Sequence, residues 1–180
     1  MLKLKTNTKH WRLSKVKNKQ YYDWNDVDDA CNTFLKQMLR DEWKPDYIVG
    51  ITRGGLTLAV MLSHIIQIPC HTLNVSLRSN PDDVESNLWM AEDAFNGKKI
   101  LIVDDINDKG ATFEWIQKDW NSSCCPLDGK WTDGTIWGGN VRFAVMTDNI
   151  SSGFGSVNYV FEEIDKNEEN VWLVYPWESE

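Results

Sequence analysis

The chain has 180 residues, a length that one domain with a sizeable core accounts for without a second. A formal net charge of −8 and a pI near 4.9 argue against a nucleic-acid footprint. No stretch approaches the roughly 20 apolar residues of a membrane span and no apolar signal core opens the chain, so a cytoplasmic protein is expected.

Lys3, Lys5, Lys9, Arg12, Lys15, Lys17 and Lys19 make the N-terminus basic, which reads as a solvated face. A short strand is expected around Trp11 to Leu13. From Asp26 the residues Val27, Ala30, Cys31, Phe34, Leu35, Met38 and Leu39 recur at helical spacing, with Asp26, Asp28 and Asp29 in the first turn, where the helix dipole favours acids. After Pro45, Tyr47 to Ile51 reads as the first central strand. Arg53-Gly54-Gly55 follows it directly, and Leu56, Leu58, Ala59, Met61, Leu62, Ile65 and Ile66 suit a buried helix. Two glycines let backbone N–H groups approach an anion closely, and Arg53 adds a cation. A plain strand-to-helix turn is the other reading of that tripeptide.

His71 to Val75 is the next expected strand, and Arg78 to Asn87 a long polar loop without periodicity, of the kind that forms lids. Leu88 to Phe95 reads as a short helix ending at Asn96-Gly97. Ile100 to Val103 is a buried apolar strand that runs into Asp104-Asp105-Ile106-Asn107-Asp108-Lys109-Gly110-Ala111-Thr112, a polar loop, and then into a helix from Phe113 to Trp120. Paired carboxylates suit hydroxyls or a hydrated metal, and N–H groups closing on a helix N-terminus suit phosphate. A phosphorylated sugar combines the two. Asn121 to Asn140 is turn-rich, and its Trp131 and Trp137 suit either a core cap or a subunit contact. Val141 to Met146, Val157 to Phe161 and Val171 to Tyr175 are the remaining extended segments. His10, His64 and His71 have no ligand spacing, and Cys31, Cys70, Cys124 and Cys125 no zinc spacing, so reduced thiols are expected.

Val103 to Thr112 resembles the phosphoribosyl pyrophosphate (PRPP) motif of the type I phosphoribosyltransferases, a hydrophobic strand followed by two acids and a closing Asp-Thr-Gly-x-Thr. Lys109 departs from it, standing where the family has Thr or Ser. Ile48 to Gly55 resembles the family's pyrophosphate loop, and Val171 to Glu178 resembles the tail of its purine branch, the hypoxanthine and xanthine-guanine enzymes. Three motifs in this order are more specific than any one alone.

The resemblance implies an α/β fold, a parallel sheet flanked by helices, as a single domain. Its core would run from about 24 to 161, with a small hood made of the N-terminal segment and 162–180. It implies Mg²⁺-dependent transfer of phosphoribosyl from PRPP to a nucleobase, a purine salvage reaction, by a homodimer. Residue by residue, it implies Asp104 and Asp105 on the ribose hydroxyls and Mg²⁺, and Asp108 as the acid or base at N7 of the purine. Asp108, Lys109, Gly110, Ala111 and Thr112 would hold the 5-phosphate, and Arg53, Gly54 and Gly55 the pyrophosphate. Arg78 and Ser79 would belong to a loop closing over bound PRPP, and Trp172 and Leu173 would meet the base, although Trp172 also suits a core tryptophan. The family's 6-oxopurine enzymes carry a lysine just after the strand equivalent to Val141 to Met146. Here Thr147-Asp148-Asn149 stands there, so that Asn149 is the candidate donor and another base, or a non-catalytic PRPP sensor, are the alternative readings.

Overall fold

The computed structural model describes residues 18–75, 87–168 and 171–178. The expected strand at Trp11 to Leu13, the basic N-terminal run as far as Lys17 and the lid residues Arg78 and Ser79 lie outside the described residues.

Strand β1 (Asn18–Tyr21) leads into helix α1 (Trp24–Arg40). A reciprocal cap starts this helix. The Asp23 carboxylate accepts from the N–H groups of Asn25 (2.7 Å) and Asp26 (3.1 Å), while the Asp26 carboxylate accepts from Asp23 N–H at 2.7 Å. Val27, Ala30, Cys31, Phe34 and Met38 are buried as their spacing predicts. Leu39 is not: it is 77% exposed, because the buried stripe ends one turn earlier on that side.

Strands β2 (Tyr47–Ile51), β3 (Cys70–Leu73), β4 (Ile100–Asn107), β5 (Val141–Asn149) and β6 (Tyr159–Ile164) form one all-parallel sheet in the order β3-β2-β4-β5-β6. Helix α2 (Gly54–Ile66) joins α1 on one face, while α3 (Leu88–Phe95) and α4 (Ala111–Ser123) cover the other. Alternate strand residues feed the two layers: Ile48, Leu101, Val103, Ala144 and Met146 pack with α1 and α2, and Val49, Ile51, Ile100, Ile102, Phe143 and Val145 pack with α3 and α4. Burial on both faces is why these strands are continuous apolar runs rather than alternating ones. The fold class expected from the sequence is the one observed.

Two boundaries differ in a way that matters. Strand β4 does not stop at Val103 but pairs with β5 through Asp104↔Val145, Ile106↔Thr147 and Asn107↔Asp148, so the acid pair sits on the strand and not in a loop. Helix α4 begins at Ala111, two residues before the apolar spacing starts. In the segment 121–140, Trp131 is buried, donates from Nε1 to the Cys124 carbonyl at 2.7 Å, and packs with Phe95 and Trp137, which itself stacks on Phe143. The insertion therefore caps the α3/α4 core.

A second, two-stranded sheet pairs β1 in parallel with β7 (Val171–Val174). Tyr22, Tyr175 and Trp177 stack beneath it, with centroids 5.1 Å apart at each step. Among the described residues no helix is long and apolar enough to cross a membrane.

Trp131→Ala is expected to cost about 3–5 kcal/mol of stability in urea denaturation, the range for deleting a large buried aromatic, while leaving ligand affinity intact because Trp131 does not line the cleft described below.

Candidate functional site

In the sheet order, the chain leaves β2 toward β3 on one side, whereas β4 lies on the other, so the C-terminal ends of β2 and β4 flank a topological switch point. Loops diverge there and leave a crevice. A cleft of about 500 Å³ occupies it, lined by Asp104 and Asp105, by residues 106–113, and by Lys166, Trp172, Leu173, Tyr175 and Glu178.

The floor is crowded. A Cβ on Gly54 would lie 1.9 Å from the Asp105 carboxylate, and one on Gly55 would lie 2.1 Å from the Val103 carbonyl oxygen. Helix α2 can thus abut the end of β4 only if it begins with two glycines. The Gly55 N–H is bonded to Asp104, whose Oδ1 also accepts from Asp105 N–H at 3.0 Å. These glycines serve contact between helix and acid pair, and Gly54 alone of the tripeptide lines the cleft. Arg53, joined to Thr52 by a cis peptide bond, is exposed and is not among the lining residues.

Part of each acid's surface faces the cleft, but both carboxylates are ringed by protein. Burial is the main cause that pushes Asp104 well above the usual carboxylate range, and the charge of Asp105 adds to it. Asp105 is pushed up to about 6, by burial first and by the charge of Glu178, with the Ile106 N–H opposing. Two carboxylates that resist ionising together are a site awaiting positive charge or hydroxyl donors.

Next along the wall comes the start of α4. Unlike α1, it has no side-chain cap: Gly110 occupies the N-cap with φ 84°, and a Cβ there would strike Phe154 at 2.6 Å. Its first-turn N–H groups, with the Thr112 hydroxyl, line the cleft and suit an anion. Lys109 lines it too.

At the far end, Trp172 is 55% exposed and lines the cleft, so it is not a core tryptophan, whereas Leu173 beside it is buried. Asn149 does not reach the cleft. Its amide is spent, with Nδ2 donating to the Asp108 carbonyl at 2.7 Å and Oδ1 accepting from Lys166 N–H at 3.0 Å. Asp148 is likewise occupied, accepting from Asn107 Nδ2 at 2.7 Å. The cation in the cleft that the sequence did not disclose is Lys166, whose Nζ lies 2.9 Å from Asp108 Oδ1. It stands in Ile164-Asp165-Lys166-Asn167-Glu168, a polar run without any local motif.

Comparison with known proteins gives a consistent answer. A family model described as the phosphoribosyl transferase domain matches residues 17–117, more than half of the chain. The chain is 23% identical to a hypoxanthine-guanine phosphoribosyltransferase of Schizosaccharomyces pombe, covering 89% of both chains. It is 26% identical to xanthine phosphoribosyltransferase 1 of Saccharomyces cerevisiae, covering 90% of both. Its fold is similar to that of a purine phosphoribosyltransferase from Pyrococcus horikoshii, with a TM-score of 0.64 and 24% identity over 90% of this chain and 95% of the other.

The raised carboxyl predicts a signed pH effect. The folded chain holds the Asp105 proton more tightly than the unfolded chain, whose carboxylates titrate near ~4. The stabilisation is full below that pH and is lost as pH rises through about 6. The melting temperature of ligand-free Asp105→Asn minus that of the wild type should therefore grow between pH 5 and 7, reaching at least ~2 °C at pH 8. A difference that does not change with pH would contradict the assignment.

Proposed function

Because this chain belongs to the phosphoribosyltransferase family, we propose that it transfers the 5-phosphoribosyl group of PRPP to a nucleobase, a 6-oxopurine, releasing pyrophosphate in a salvage reaction. The observation that carries this reading is the set of groups gathered in one cleft. An acid pair for the ribose, an uncapped helix N-terminus for the 5-phosphate, and an exposed tryptophan for a planar base all belong to one lining. In this reading the chain is a single domain with its core at 24–161 and the β1–β7 ribbon as hood.

Asp104 and Asp105 take the ribose 2- and 3-hydroxyls. They also fit Mg²⁺, since a hard cation with a preference for oxygen ligands relieves two carboxylates held up by burial and neighbouring charge. Among the described residues no group of three or more His, Cys, Asp or Glu forms a metal cage, which suits an ion that takes its other ligands from substrate and water. Bound there, Mg²⁺ would supply positive charge to offset the negative charge of the pyrophosphate. Backbone N–H groups of residues 109–112 and the Thr112 hydroxyl hold the 5-phosphate. Gly54, with Arg53 and Gly55, lies on the pyrophosphate side.

In the reaction the bond from the anomeric carbon to pyrophosphate breaks, and a bond to a base nitrogen forms. The sugar passes through oxocarbenium character, which the carboxylates along the floor stabilise. Asp108 accepts the proton that the base must give up at N7. Trp172 stacks on the base and orients it, and the Leu173 backbone meets its edge.

Pyrophosphate release, measured with PRPP and Mg²⁺ against hypoxanthine, guanine, xanthine, adenine and the pyrimidine bases, tests this directly. Release with one or more 6-oxopurines, reduced by ~10²–10⁴ in Asp108→Asn, is the expected result. No release with any base would leave the non-catalytic PRPP sensor as the reading.

A further inference from the structure

The position after β5, where the resemblance expects a base-reading lysine, is closed to ligand. Thr147 Oγ1 lies 3.1 Å from the hydroxyls of both Tyr22 and Tyr175, Asp148 is bonded to Asn107, and Asn149 holds Asp108 and Lys166. None of the three lines the cleft. A cation nevertheless lines the cleft, from a different segment: Lys166, in the turn that follows β6.

Lys166 and Asp108 are each about a quarter exposed, lie 2.9 Å apart, and line the same cleft as Trp172. One amide sets both. Asn149 donates to the carbonyl of Asp108 and accepts from the N–H of Lys166, so the backbones carrying the two charges are clamped by a single buried side chain. The result is a fixed donor beside a fixed acceptor. A ligand edge that offers an acceptor beside a donor can slot into such a pair while leaving neither charge without a partner. The 6-oxygen and the neighbouring N7–H of a 6-oxopurine are such an edge. A 6-amino group instead turns a donor toward the ammonium, and two donors then face each other with no acceptor between them.

We propose that Lys166 and Asp108 together read the 6-oxo edge of the base, and that Asn149 is the positioning residue that holds them in register. This deepens the transferase reading in that it takes a purine as the occupant of the cleft. It moves base selection from the end of β5, where Asn149 was the candidate donor, to the β6 end.

The test uses equilibrium binding, which needs no turnover. Calorimetric titration of the full chain with hypoxanthine and adenine, free bases that can carry the N7 proton, should give a preference for hypoxanthine of roughly 10–100-fold, the worth of one charge-assisted hydrogen bond. Lys166→Met and Lys166→Gln should close that gap by weakening hypoxanthine alone, with affinity for PRPP unchanged. An unchanged preference in both variants, or no preference in the wild type, overturns the proposal. For the clamp, Asn149→Ser should raise the KM for base several-fold with the KM for PRPP constant, whereas equal rises in both would remove Asn149 from it. Failure of the transferase reading is distinguishable: the wild type would discriminate between the two bases in binding yet release no pyrophosphate with any base.

Discussion

Everything at the cleft follows from two adjacent carboxylates being held at the end of a central strand. Asp104 is paired to Val145 of β5, and Ile106 and Asn107 just beyond Asp105 are paired to Thr147 and Asp148, so the backbone of the two acids cannot relax away from the protein around it. The start of α2 presses on them from one side, so closely that its first two residues must be glycine, and Gly55 gives its N–H to Asp104. The suppressed ionisation of both acids is the consequence of that enclosure. A site built this way is poorly satisfied by itself and well satisfied by a ligand that brings hydroxyls or positive charge.

The small β1–β7 sheet is tied to the same strand. The Tyr175 hydroxyl donates to the Asp105 carbonyl at 3.2 Å and lies beside Thr147, which Tyr22 also contacts, while the rings of Tyr22, Tyr175 and Trp177 form one stack. Tyr22 is further bonded to Glu162 on β6. Residues far apart in sequence are thus brought together over the ends of β4, β5 and β6, and the ribbon that carries Trp172 and Leu173 is held in a fixed relation to the acids. The acid pair and the exposed tryptophan of the cleft share one hydrogen-bonded frame.

Much of the fold was legible because burial on both faces writes itself into sequence as apolar runs. Tyr47 to Ile51 and Ile100 to Val103 are recognisable for that reason, and α1 by its spacing. The extension of β4 through Asp104 and Asp105 was not legible, since charged residues read as loop until a neighbouring strand is known to pair with them. The end of α1 misled at Leu39, where an apolar side chain stands outside the buried stripe. At the site, Asp104, Asp105, Asp108, Gly110, Thr112, Trp172 and Leu173 all gather at one cleft as the motifs implied, and Arg53 does not line it. Lys166 escaped because its place depends on topology alone: β6 ends beside β5, and only in three dimensions does the turn after it face the loop after β4. Asn149 was read as a ligand for the complementary reason, its position being right along the chain while its amide is consumed within the protein.

The central claim is that the acid pair anchors the ligand. Calorimetric titration of PRPP with Mg²⁺ into the wild type and into the Asp104→Asn/Asp105→Asn double variant tests it most directly, because the variant keeps the shape of the floor and removes its charge. Loss of at least ~100-fold in affinity is predicted, from two charge-assisted contacts. Equal affinity in the two proteins would contradict the account and move the ribose away from the end of β4.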